Sequence, residues 1–373
     1  MVGLIFVGWE GPNGCFKYGG VGRYVVNFLR YARGFFDRVV NVCLGPSEEG
    51  VVVRLGGEFC GADVVEVHAP KLTDSTDVSI ASVAGFKGLT EFFGRDTFEG
   101  YAVITNDFHL CPLGCMLRGL GAFPHIHFMH SISHSPAEHY CVESADALVV
   151  ASDLMREEVI DWWAYHYSHL DPPPKLPPIH VVPIPPPELP KPSEDPMKYR
   201  ESILRRTGGE YLLLYVGRVD PYKNVGALKE VLEGVRSVGI KASLLIITPD
   251  HIEPFSKYVV VRERVSDGEL VTAYRASDLL IHPAKHEPYG LVVLEAITNG
   301  LLPITTERVG VAQYLPIPKA KDTKELTKEA IHYLRNPQER KETLKKAENT
   351  INKLTWEKHI AILKNIINSL NPP

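Results

Sequence analysis

The sequence predicts an α/β protein of two Rossmann-like domains, each a parallel sheet with helices on both faces. Three observations carry this. Through the first half, the apolar runs LIFV, VVNVCL, YAVIT, HIHFMH and ALVVA alternate with helical patterns such as VGRYVVNFLRYARG and PAEHYCVESA, as strand–helix–strand units require. Between Asp171 and Pro196 fall twelve of the chain's 29 prolines, a composition shift that reads as a stiff, extended connector. The alternation then restarts in YLLLYVG, KNVGALKEVLEGVRSVG, ASLLIIT, YVVVRE, DGELVTAYRA and DLLIHPA. The expected boundaries are residues 1–185 for the first domain and 186–356 for the second, with a last helix over 357–373 packing back on the first. At 373 residues and 45% hydrophobic content, the chain can bury two cores.

The formal net charge of -5 gives no global attraction to nucleic acid. Cysteines stand at 15, 43, 60, 111, 115 and 141 with no C-x-x-C pair. Neither a disulfide framework nor a zinc ribbon is expected from that pattern, and a reducing cytoplasm is the expected compartment. MVGLIFVGWEG at the start lacks a basic leader and a cleavage site, so it reads as a first strand. No segment reaches the length of a membrane span. The lysine-rich helical tail beyond Lys319 reads as a solvated face rather than a lipid anchor, leaving room only for weak peripheral contact with a membrane. Trp162, Trp163, Tyr165 and Tyr167 cluster in DWWAYHYSHLD and are expected to pack onto a core rather than line a sugar or lipid site.

The chemistry concentrates in HEPYGLVVLEAITNG, residues 286–300. Pro288 biases Glu287 toward an extended backbone after the strand DLLIHPA, and Gly290 permits close backbone approach before LVVLEAIT begins a helix. A helix start offers amide hydrogens and partial positive charge to a phosphate, and Glu295, about one turn in, is placed to reach hydroxyls. Upstream, YLLLYVGRVDPYKNV ends another strand with Arg218 and Lys223, a guanidinium fork and a point charge suited to a diphosphate at the carboxyl ends of parallel strands. The histidines at 109, 125, 127 and 134, with Cys111 and Cys115, show no familiar ligand spacing, and strand alternation sets 125 and 127 on one face and 130 on the other. No metal site is expected. GGVGRYV lacks the third glycine of a dinucleotide fingerprint, and no acid ends the VVNVCL strand, so nicotinamide binding is not expected.

GGVGRYV at 19–25, NDFH at 106–109, HIHFMHS at 125–131, SADALVVASDLMREEV at 144–159, VGRVDPYKNV at 216–225 and EPYGLVVLEAITNG at 287–300 together resemble the retaining glycosyltransferases of the GT-B fold. The similarity is to glycosyltransferase family four (group 1) and the related glycogen synthases. The resemblance implies two Rossmann-like domains facing across a cleft and transfer of a hexose from a nucleotide-diphosphate sugar to the hydroxyl of a carbohydrate or lipid-linked acceptor. It implies that Arg218 and Lys223 hold the donor diphosphate, Glu295 the ribose hydroxyls and Glu287 the hydroxyls of the transferred sugar. The amides of Tyr289, Gly290 and Leu291 would complete the phosphate cradle, and Gly20, placed in a tight turn after the first strand, would approach the same phosphates. His130 matches the active-site histidine in polar contact with the transferred sugar, and Asp107 the acid that positions acceptor or donor. Asn106 stands where a histidine is common.

No D-x-D occurs, so no cofactor and no metal ion are expected. Charge on the departing diphosphate would be met by Arg218, Lys223 and the helix start, and the diphosphate itself would take the acceptor's proton. Hydroxyl binding by Glu287 is preferred to a nucleophilic role. UDP-glucose or ADP-glucose is the expected donor, with mannosyl donors open. A nucleotide-sugar-binding protein without turnover and a sugar-nucleotide epimerase of similar fold are the alternatives.

Overall fold

The structure is a computed structural model that describes residues 2–16, 19–48, 50–69, 75–94, 97–133 and 135–370. It divides into two compact units, one running through Ile184 and resuming at Thr355, the other Pro185–Leu354.

The first unit contains β1 (Gly3–Val7), α1 (Gly20–Ala32), β2 (Val39–Pro46), β3 (Val52–Phe59), β4 (Ala62–Ala69), α2 (Ser75–Phe93), β5 (Tyr101–Asn106), α3 (Cys111–Gly119), β6 (His125–Met129), α4 (Pro136–Ser144), β7 (Ala147–Val150), α5 (Asp153–Tyr167) and β8 (Ile179–Val181). Its sheet runs β3-β4-β2-β1-β5-β6-β7-β8, parallel except for the β3–β4 hairpin. That hairpin turns through Cys60 and Gly61, both at positive φ (51° and 82°), the geometry that matches the right-handed twist of its strands. The central strands are buried on both faces: Ile5, Val40, Val42, Val65 and Val103 are fully covered on one, Phe6, Ala102 and Ile104 on the other, which explains why they read as unbroken apolar runs. Ser135 and Ser152 cap α4 and α5 by accepting from the amides of Ala137 and Met155.

The second unit contains α6 (Pro196–Thr207), β9 (Tyr211–Val216), α7 (Ala227–Ser237), β10 (Ala242–Thr248), β11 (Val259–Glu263), α8 (Asp267–Ala276), β12 (Leu279–His282), α9 (Leu291–Thr298), β13 (Pro303–Thr306), β14 (Lys319–Ala320), α10 (Thr323–Arg335) and α11 (Pro337–Ile351). Its sheet is wholly parallel in the order β11-β10-β9-β12-β13-β14. Leu212, Leu214, Leu245, Tyr274, Leu280 and Ala296 form its core. The last helix, α12 (Trp356–Leu370), belongs to the first unit. It buries Ile360, Leu363 and Ile367, and Trp356 lies against Tyr24 and Tyr31 of α1.

Two expectations need correction. The chain carries disulfides Cys15–Cys43 and Cys111–Cys141. Pairing β1 with β2 brings the loop after one beside the end of the other, and α3 lies on α4, so residues about thirty apart meet without any C-x-x-C spacing. Gly20 is the first residue of α1, with twelve residues between it and the end of β1 at Val7, and is not part of a tight turn. The boundary between the units falls inside the proline-rich stretch, at Ile184 and Pro185, and the stretch is anchored on either side: Ile179–Val181 forms the edge strand β8, Pro174 accepts from the Trp163 indole at 3.0 Å, and Asp195 caps α6 with Pro196 at its first turn. Trp162 and Trp163 pack as expected on Met129, Val142 and Leu148, whereas Tyr165 is exposed.

Candidate active site

In a parallel sheet, ligands gather at the carboxyl ends of strands where the strand order reverses. These switch points are β1/β5 in the first unit and β9/β12 in the second. The residues singled out from sequence lie in one or the other.

In the second unit, Asp220 accepts from the amides of Tyr222 and Lys223, both at 2.9 Å, and this turn carries Lys223 back over the sheet. Its ammonium pairs with Glu287, while the Nε2 of His282, at the end of β12, lies 3.3 Å from the same carboxylate oxygen. Burial alone would raise the Glu287 pKa; the His282 ring and the Lys223 charge outweigh it and hold the group down at about 2. Arg218 is not drawn into this pair. Its side chain is 71% exposed, 3.7 Å from Asp220. Gly290 caps α9 at φ 99°, and a Cβ there would lie 2.9 Å from Val309 Cγ1 and 3.2 Å from Glu287 Cγ. Only glycine fits both backbone and space. Tyr289 is buried and its carbonyl accepts from Val311 at 2.8 Å, while Leu291 opens α9. Glu295 is buried inside α9, one oxygen accepting from the Tyr274 hydroxyl at 2.7 Å.

In the first unit, Asn106 and Asp107 end β5. Asp107 adopts φ 51°, and its Oδ1 accepts from the amides of His130 at 2.8 Å and Ser131 at 3.4 Å. Burial, reinforced by the Glu138 carboxyl, pushes Asp107 up to about 8 against those two amides. Expected to position a substrate, Asp107 is committed to the loop that carries His130. The His130 ring stacks on Phe128 at 4.3 Å and meets the edge of Tyr24 at 4.9 Å. Burial first, then the neighbouring His359 and His127, lower its pKa to about 3, so the ring is neutral. Beneath it, His127 lies between Thr105 and Glu138 at 3.0 and 2.9 Å, and Glu138 also accepts from Ser133. Gly20 is exposed at the start of α1, whose Gly19 amide donates to buried Glu10 at 3.1 Å. A Cβ on Gly22 would lie 2.1 Å from that same carboxylate.

Sequence reasoning missed His282, Glu10 and Glu138. An imidazole closing an otherwise aliphatic strand was the available sign for His282, and an acid just past β1 for Glu10; Glu138 had none, because its partner comes from another strand. Of the metal-tempting residues, His134 lies outside the described ones. His125 and His127 are engaged by Thr105. Cys111, Cys115 and Cys141 form a cluster within 4.8 Å, two of them already joined as a disulfide.

Residues 200–350 match the family described as glycosyl transferases group 1. The match covers about four tenths of the chain and most of the second unit. Among similar proteins is the D-inositol 3-phosphate glycosyltransferase of Corynebacterium glutamicum (strain R), 28% identical over 266 residues, which cover 61% of each chain. The match thus spans about six tenths of that relative's own length. Solved structures place the fold as GT-B. A UDP-forming α,α-trehalose-phosphate synthase of Burkholderia xenovorans superposes with TM-score 0.73 at 14% identity, over 98% of this chain and 99% of that one. The catalytic domain of starch synthase IV of Arabidopsis thaliana, bound to ADP and acarbose, gives 0.73 at 14%, over 99% of both. Among the described residues, no helix is long and apolar enough to cross a membrane.

Proposed function

We propose that this chain moves a hexose, glucose foremost, from UDP-glucose or ADP-glucose to an acceptor hydroxyl with retention of configuration and without a metal ion. The observation that carries the reading is the second unit's switch point, where Lys223, Glu287, the glycine-capped start of α9 and Glu295 converge. Lys223, with Arg218 and the amides of Tyr289, Gly290 and Leu291, takes the charge of the departing diphosphate. Glu287, held ionised, accepts from hydroxyls of the transferred sugar, and the Glu295 carboxylate serves the ribose hydroxyls. Gly20 at the exposed start of α1 serves the diphosphate, Asp107 holds the His130 loop, and His130 contacts the sugar.

The solved neighbours support the choice of donor: one is UDP-forming and another binds ADP. A thermal-shift panel of nucleotide sugars, then mass spectrometry and anomeric NMR of products from the best binder, tests it. A glycoside of unchanged anomeric configuration is expected, formed equally in chelator. Release of an epimerised nucleotide sugar, or binding without turnover across carbohydrate and lipid-linked acceptors, would replace the reading.

A further inference from the structure

Asn106 sits at the switch point of the first unit's sheet, 1% exposed, and its amide has one possible orientation. Nδ2 donates to the Val7 carbonyl at 3.0 Å; reversed, two oxygens would face each other. Oδ1 is therefore the end turned to His130, 3.0 Å from Nε2. An amide oxygen only accepts, so the hydrogen lies on Nε2.

We propose that Asn106 is a positioning residue that fixes His130 as its Nε2–H tautomer, so that Nδ1 meets the transferred sugar as a hydrogen-bond acceptor. This rests on the reading of His130 as a sugar contact. It commits the site to a sugar hydroxyl that donates, which an ether or fluorine in that place cannot do.

The groups around the ring agree. From α12, His359 is locked in the opposite sense. Its Nδ1 lies 3.0 Å from the Pro183 carbonyl and so carries the hydrogen, leaving Nε2 to accept from the Tyr24 hydroxyl at 3.1 Å. Tyr24, from α1, thus spends its only proton on His359 and meets His130 with its ring edge. Asp107, after β5, binds the backbone amide of His130 rather than its ring. His127, in β6, is engaged by Thr105 and by Glu138 of α4. Burial and the two neighbouring histidines keep a second proton off His130 at neutral pH.

Long-range proton–nitrogen NMR of the full chain carrying 15N-histidine tests the tautomer directly, with His130 assigned from the spectrum of His130→Gln. A protonated Nε2 and a bare Nδ1 at pH 7 are expected; a protonated Nδ1 overturns the proposal. Asn106→Asp supplies the functional arm, with UDP-glucose and ADP-glucose turnover read as nucleotide release. The new carboxylate favours imidazolium and turns Nδ1 into a donor, so kcat at pH 6 should fall about 10-fold, the loss of one hydrogen bond. It should recover as pH rises above the raised His130 pKa. A loss equal at every pH, or no loss, sinks the positioning role, and the wild-type spectrum decides the tautomer even if this variant fails to fold. Normal turnover by His130→Gln beside the expected tautomer overturns the sugar contact instead.

Discussion

Under the proposed function, the Lys223–Glu287 pair couples stability to ligand chemistry at a single point. Both side chains are largely covered, at 18% and 13% exposure. Lys223→Ala leaves a buried carboxylate without its cation and should cost about 3 kcal/mol, visible in urea unfolding, together with loss of nucleotide binding by calorimetry. The double variant Lys223→Met, Glu287→Gln removes both charges and should regain most of that stability while staying inactive. If the single variant melted like the wild type, the pair would contribute nothing to the fold. The depressed Glu287 pKa gives a pH signature of its own. An acid that ionises near 4.5 when unfolded and at about 2 in the fold contributes stability above pH 4.5 that is lost as pH falls toward 2.

At the scale of elements, the start of α9 depends on one backbone conformation. Gly290→Ala would force a Cβ against Val309 at positive φ and should cost about 2 kcal/mol, with weaker UDP or ADP binding as the helix start shifts. Each disulfide closes a loop, with sequence separations of 28 and 30, so reduction should remove about 3–4 kcal/mol per bridge by chain entropy. Melting with and without a phosphine reductant measures this, and an unchanged Tm would show that the bridges contribute nothing. Sequence made the buried parallel strands and the glutamate helix legible, because apolar runs and the Glu-Pro-x-Gly turn are local signals. It did not reveal the β3–β4 hairpin, whose register shifts between Leu55 and Glu58 and so breaks alternation. The cysteine pairings and the meeting of Lys223 with Glu287, 64 residues apart, depend on strand order, which no local pattern encodes. His130 and Asp107 were legible as residues at strand ends, but the way one holds the other was not: it depends on which amides and carbonyls the neighbouring strands present.

At the scale of the whole molecule, the first unit holds an unusual stock of buried neutral groups. Burial lowers His109 and His359 to about 4 and His125, His127 and His130 to about 3, so these rings stabilise the fold above their unfolded value of 6.5 and cease to as pH falls toward 4. Burial raises Asp107 and Glu138 to about 8. Their contribution is complete below about pH 4 and is lost as pH rises through 8. Between those limits five imidazoles outweigh two acids up to pH 6.5, and above it only the acids differ between states. Thermal stability should therefore peak near pH 6.5. Melts from pH 4 to 9 check this, and a Tm still climbing at pH 8 would show that Asp107 and Glu138 are ionised in the fold.

That α12 belongs to the first unit also sets an order of events during vectorial synthesis. The amino-terminal unit emerges first yet is completed last, because Tyr24 finds its hydrogen-bond partner His359 only after all of Pro185–Leu354 has left the ribosome. A nascent chain stalled before Trp356 would leave the aromatic bed beneath His130 open to water, so the first unit's core closes only once α12 has emerged.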